Sequence, residues 1–159
     1  MEITQLSIRD VLFVDSVLKN PEIWEACRDD GYPEPGQWTS YGRLQNPDNY
    51  FLMPSKNGRA AGVIIFYKRN SFCWDTHVAI LPEFRGRFVV EAYKEAFRWM
   101  FEKSPALKVK AWIPAYNLAA ITLARAVGMQ KEGRGLGEWK KNGKLYDVLY
   151  FGLRKEVAP

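Results

Sequence analysis

Of the strong transition-metal ligands, the 159-residue chain holds one histidine, His77, and two cysteines, Cys27 and Cys73. That scarcity excludes zinc sites built on several histidines and leaves a catalytic triad at most one imidazole. The two cysteines lie far apart and fit no metal or redox spacing, so they read as free, buried thiols in a reducing compartment. No run of about 18 apolar residues occurs, so no helix is expected to span a membrane. The opening residues, MEITQLSIRD, lack the basic-then-apolar order of a secretory signal, and a cytoplasmic location is the expectation. A one-sided charge is missing too. The net charge of +5 is diluted among acidic residues, apart from basic clusters near Arg85 and between Lys131 and Lys144. This argues against a nucleic-acid partner and suits an anionic small molecule.

What the chain does have is apolar mass: 47% hydrophobic residues, with six Trp, eight Tyr and nine Phe. The length predicts one domain, residues 1–159, with a bulky core and aromatics free to line a pocket. The stretch from Trp74 to Glu102 organises it. Thr76, Val78 and Ile80 alternate with His77, Ala79 and Leu81 as in a strand, which Pro82 ends. Gly86 marks a turn. From Val89 the period becomes helical, with Ala92, Ala96 and Met100 on one face and charged residues on the others. A helix entered straight from a turn exposes amides at its start, an anion site beside Arg85 and Arg87.

Before this stretch, Ile3, Leu6 and Ile8 predict a first strand running into a helix with Asp10 near its start as a cap, and Pro21 stops that helix. Glu22 to Asp30 reads as a second helix, followed by a long loop to Tyr50 rich in Gly, Pro, Asn and Asp. Two apolar runs flanking Asn57-Gly58, then the Trp74 strand, predict an antiparallel meander. After the central helix, Leu107 to Ile113 is a fifth strand, parallel to the fourth through its helical crossover. Asn117 caps a further helix that Gly128 ends. A last hairpin turns at Asn142-Gly143.

The run PEFRGR before an amphipathic helix resembles the coenzyme A pyrophosphate loop of the GNAT N-acetyltransferase superfamily. Arg85 takes the loop's first position, although Phe88 and Val90 stand where that family usually has Gly and Gly or Ala. The segment from Asn117 to Met129 matches the family's later helix, with Ala124 where many members carry a tyrosine that protonates the departing thiolate. Glu132-Gly133, Asn142-Gly143, Asp147 and Tyr150 to Leu153 are similar to the close of the ribosomal-protein and antibiotic acetyltransferase branch. Short phage and prophage members share the run from His77 to Arg87 without the later glycines.

The resemblance implies an α/β (α+β) fold, a mostly antiparallel mixed sheet of six to seven strands with about four helices and with the parallel fourth and fifth strands splayed apart. It implies acetyl-CoA as cofactor and an amine as acceptor. The pantetheine would pair with Val78, Ala79, Ile80 and Leu81, the pyrophosphate with Arg85, Gly86, Arg87, Phe88, Val89 and Val90, and Asn117 would sit against the pantetheine or serve only as a cap. Tyr32, Trp38 and Tyr41 are candidates for the acceptor wall, or pin their loop to the core. Asp75 and His77 share a strand face and are candidate bases; Glu138 and Tyr146 could face the acceptor from the last hairpin. Tyr116, Tyr146 or water is the candidate general acid. No metal site is expected. The other reading is a non-catalytic GNAT-fold binding or assembly protein, a homodimer or virion component among the open roles.

Overall fold

Val63, Ile64, Ile65 and Phe66 are consecutive and all fully buried, so the strand that carries them has both faces covered. Its alternating side chains feed two separate cores: Ile64 and Phe66 join one, Val63 and Ile65 the other. A continuous apolar run of this kind is the signature of a central strand between helical layers.

The computed structural model describes residues 1–158, and Pro159 of the expected 1–159 domain lies outside the described residues. In chain order the elements are β1 (Glu2–Gln5), α1 (Val11–Leu18), α2 (Pro21–Cys27), α3 (Tyr41–Gln45), β2 (Tyr50–Lys56), β3 (Arg59–Ala60), β4 (Gly62–Lys68), β5 (Cys73–Ile80), α4 (Arg87–Lys103), β6 (Lys108–Pro114), α5 (Leu118–Ala126), β7 (Gln130–Lys141) and β8 (Lys144–Arg154). The strands form one sheet in the order β1-β2-β4-β5-β6-β8-β7, with β3 paired to β2. All neighbours are antiparallel except β5 and β6. The predicted fourth and fifth strands are therefore β5 and β6, parallel as expected.

The sheet has eight strands where six to seven were expected. The extra one arises at Gly62, which divides one predicted run into β3 and β4. A Cβ there would lie 2.8 Å from Ile80 Cα and closer still to the Ala79 carbonyl oxygen. The backbone of β4 presses against the end of β5 where only glycine fits.

Two local expectations are corrected. Asp10 does not cap α1 with its side chain; it closes a capping box one turn earlier, its Oδ2 accepting from the Ser7 amide at 2.7 Å. Pro21 does not merely stop α1. It opens α2 as its first residue, behind Asn20, whose Oδ1 accepts from the Glu22 amide at 3.1 Å. The predicted long loop also contains the single-turn helix α3. α4 buries Phe88, Ala92, Tyr93, Ala96, Phe97, Met100 and Phe101 on the face that meets the sheet. α1 and α2 cover the opposite face through Val14, Val17, Leu18 and Ile23.

Candidate active site

β5 and β6 begin as neighbours and then part. They are paired only at Cys73–Lys108, Trp74–Val109 and Asp75–Lys110. Beyond Asp75, β5 stays paired with β4 as far as Ile80, while β6 follows β8 as far as Pro114. In an antiparallel ladder alternate residues turn both N–H and C=O to the same side. Every second residue from Thr76 to Ile80 therefore offers its backbone pair to the side that β6 has left. A cavity of about 900 Å³ occupies the opening. It runs from Gly86 and Val89 at the start of α4, past Asn117 and Ala120, to Trp24, Tyr32 and Trp38 on the far face.

Most of the expected cofactor residues are on its wall. Val78, Ala79 and Ile80 line it from β5, and Arg85, Gly86, Val89 and Val90 from the turn and first helical residues. Gly86 has φ of 98°, a left-handed conformation that lets the chain swing from the turn into α4. Arg85 forms an exposed ion pair with Glu22 at 3.0 Å, a contact weak enough to exchange for another anion. Asn117 also lines the cavity, and its Oδ1 accepts from the Ala120 amide at 3.1 Å, so the cap holds in either role.

Three of the expected cofactor residues are not on the wall. Phe88 is turned into the core, its ring 6.2 Å from that of Phe84. Its bulk therefore leaves the gap open. Arg87 lies along α4 against Glu91 at 2.9 Å, almost fully exposed. Leu81 is past the end of β5, its amide donating to the Ala61 carbonyl at 2.9 Å.

Of the candidate bases, His77 and Asp75 both line the cavity. Asp75 is engaged, its Oδ1 accepting from Arg69 Nε at 3.0 Å. His77 has a partner on α2: its Nε2 lies 3.6 Å from Cys27 Sγ. Burial alone would lower the imidazole pKa and raise the thiol pKa. Their mutual attraction outweighs it, raising His77 and lowering Cys27 from their ordinary values, with Lys141 adding to the effect on the thiol. Cys27, expected to be a free, buried thiol, is free but only half-buried, and it lines the cavity.

Tyr146 and Glu138 are corrected as site residues: neither lines the cavity. The Tyr146 ring packs edge-on against Tyr116 at 4.7 Å, and Glu138 accepts a hydrogen bond from Tyr150. The last hairpin contributes Trp139 instead, whose Nε1 donates to Tyr116 Oη at 3.1 Å. Tyr41 is also off the wall and about half exposed. Ala124 lines the cavity where a tyrosine was absent from the sequence, and Tyr93 reaches it from α4. Burial raises the Tyr93 pKa, and its phenol donates to Thr76 Oγ1 at 3.0 Å.

Sequence reasoning missed Trp24, Cys27, Tyr67 and Trp139. Cys27 meets His77 across 50 residues of chain, a pairing no spacing rule reveals. Tyr32 and Trp38 do line the wall, edge-on to Trp24 at 5.2 and 5.6 Å. Their loop is anchored at both ends. Asp15 on α1 accepts from the Ser40 amide at 2.8 Å and from the Thr39 hydroxyl at 2.7 Å. Asp30 accepts from the Asn142 and Gly143 amides at 2.7 and 2.9 Å, tying the loop to the tip of the last hairpin.

A mixed sheet parted between two parallel strands, open backbone along one of them, and a glycine-led helix start at one end define a site for an extended ligand with an anionic end. Comparison with known proteins supplies the family. The model of the acetyltransferase (GNAT) family matches residues 18–129, so the chain belongs to that family. It is an acetyl-CoA-dependent N-acetyltransferase acting on an amine. Among solved structures, the fold is similar to a spermidine N-acetyltransferase from Vibrio cholerae in complex with CoA and spermine, at 17% identity and TM-score 0.81, over 98% of this chain and 95% of that one. It is also similar to a ribosomal-protein-S5-alanine acetyltransferase from Vibrio fischeri, at 14% identity and TM-score 0.75, over 99% and 94% of the two chains. A protein from Streptococcus mutans UA159, smu.2055, matches at 16% identity and TM-score 0.77, over 97% and 99%. No curated protein matches the chain by sequence. No helix among the described residues is long and apolar enough to cross a membrane.

Proposed function

We propose that the enzyme works by direct transfer between two partners held on opposite faces of the parted sheet. The observation that carries this reading is the departure of β6 from β5 after Asp75, with a continuous cavity on both sides of the gap. Bound acetyl-CoA would supply the thioester carbonyl that the amine attacks. The β5 backbone between Thr76 and Ile80 holds the pantetheine as a substitute strand, and the Val78 N–H stabilises charge on the carbonyl oxygen. The amides from Gly86 to Phe88, with the Arg85 side chain, take the diphosphate. Of the expected residues in that loop, Phe88 and Arg87 contribute backbone only.

The acceptor lies on the α2 side, between Trp24, Tyr32, Trp38 and Tyr67. Its ammonium loses a proton to the Cys27–His77 pair. That pair is net neutral whether the shared proton sits on sulfur or nitrogen, so it can take up one more and become thiol plus imidazolium. Asp75 is held by Arg69 and acts at most through its charge. Tyr93 donates its proton to Thr76 and Tyr116 does not line the cavity, so the departing thiolate is protonated from water. The site is cytoplasmic in this reading, and nothing among the described residues favours a homodimer or virion role.

Isothermal titration with acetyl-CoA, followed by assay of amine acetylation in the parent, His77→Ala and Asp75→Asn proteins, tests the proposal. Binding with turnover lost in His77→Ala and largely kept in Asp75→Asn is expected. Absence of acetyl-CoA binding at millimolar concentration would overturn it.

A further inference from the structure

Four charged side chains line the cavity, Asp29, Arg43, Asp75 and Arg85, and their partners differ. Asp75 is paired with Arg69 and Arg85 with Glu22. Asp29 turns Oδ1 back to the Gly31 amide at 2.9 Å. Arg43 forms no ion pair among the described residues. Its guanidinium lies instead between two aromatic rings, 5.7 Å from the centre of Trp38 and 5.6 Å from that of Tyr67. These contacts and a hydrogen bond to the Tyr67 side chain orient the guanidinium, and its remaining donors can meet a carboxylate in two parallel hydrogen bonds.

This position is built by the surroundings. Arg43 sits on α3, whose preceding residue Ser40 is fully buried and bonded through both amide and hydroxyl to Asp15. The Arg43 carbonyl accepts from Asn49 Nδ2 at 3.1 Å, and Leu44 packs into the core beneath. This half of the cavity carries four aromatic side chains, Trp24, Tyr32, Trp38 and Tyr67, beside the aliphatic Leu18, Ile23 and Ile65. An acceptor with several positive charges would need several free carboxylates here. The acceptor side has only Asp29 without a cationic partner, and Arg43 offsets it.

We propose that the acceptor is a small amine carrying a planar apolar body and a carboxylate, with Arg43 binding the carboxylate and the aromatic wall holding the body. This rests on the transferase reading above and narrows its substrate class. It separates this enzyme from a polyamine acetyltransferase, although the V. cholerae structure it resembles was solved with spermine.

The test uses the full-length protein, acetyl-CoA and three probe amines: tryptophan, tryptamine, which lacks the carboxylate, and spermidine. Turnover and calorimetric binding of each amine in the presence of CoA are measured separately, in the parent, Arg43→Gln and Arg43→Lys. The expected result is the highest kcat/KM for tryptophan. Arg43→Gln should lower kcat/KM for tryptophan by about tenfold to a hundredfold more than for tryptamine, the range set by loss of a charge-assisted bond. Arg43→Lys should restore only part of the difference, since an ammonium cannot form the paired bonds. Preference for spermidine, or an unchanged tryptophan-to-tryptamine ratio in Arg43→Gln, overturns the acceptor class and leaves the transferase reading standing. Carboxylate-dependent binding of tryptophan without turnover of any amine supports Arg43 as the carboxylate site and overturns the transferase reading, and with it the acceptor class. Absence of tryptophan binding overturns the acceptor class.

Discussion

Gly62→Ala perturbs the joint between β4 and the open end of β5. The new methyl group would stand 2.8 Å from Ile80 Cα and nearer to the Ala79 carbonyl oxygen, both backbone atoms that cannot rotate away. Ordinary carbon contacts are about 3.5–4.0 Å, so the strands must separate by several tenths of an ångström or more. Overpacking of this kind costs about 1–3 kcal/mol. The φ of +157° at Gly62, rarely adopted by residues with a side chain, adds about 1 kcal/mol, and the stiffer unfolded chain offsets about 0.5 kcal/mol. A net loss of about 1.5–3.5 kcal/mol corresponds to a fall of about 3–14 °C in Tm for a chain of this size. Because the displaced atoms belong to Ala79 and Ile80, acetyl-CoA affinity should fall together with Tm. Thermal denaturation followed by circular dichroism, with calorimetric titration of acetyl-CoA well below Tm, measures both. A Tm within about 1 °C of the parent, with affinity unchanged, would refute the reasoning.

Phe88→Ala should separate stability from binding. The ring is core, so about 3–4 kcal/mol of stability is lost, while acetyl-CoA affinity of the folded protein in the cold stays close to the parent value, because the side chain is off the cavity wall. Cys27 should alkylate with iodoacetamide at a lower pH than an ordinary thiol, of pKa about 8.5, and His77→Ala should move the rate profile above that value, because burial remains and the counter-charge is gone. Lys141 and Arg43 face the same pair and stay in place in that variant. For Asp15, burial would raise the pKa, but the Ser40 and Thr39 hydrogen bonds and Lys19 hold it below 3.8. Its stabilisation is therefore complete above that unfolded value and is lost as pH falls through the lower folded one. Asp15→Ala should cost about 2–3 kcal/mol at neutral pH, measured by urea denaturation, with the difference from the parent shrinking below the folded pKa.

How far the fold could be read beforehand depended on how local each signal was. The β5–turn–α4 unit is written in consecutive residues, because a period of two gives way to a helical period across Pro82 and Gly86. The parallel neighbour followed from the crossover through α4. The strand count was out by one because the break at Gly62 reflects contact with Ala79 and Ile80, residues of another strand. Phe88 shows the opposite limit. Its position in the loop placed it against the pyrophosphate, whereas helix rotation directs the ring into the core.

By itself, the sequence determined most of the strands and helices, apart from the β3–β4 break and α3, and it placed a basic turn at the head of the central helix. Those properties depend on neighbours within a few residues. The tertiary structure alone decided that β6 would leave β5 after Asp75, that Cys27 would meet His77, and that Arg43 would lie between Trp38 and Tyr67. Each depends on side chains far apart in the chain being packed onto the same face of a sheet, and only the folded core brings them together.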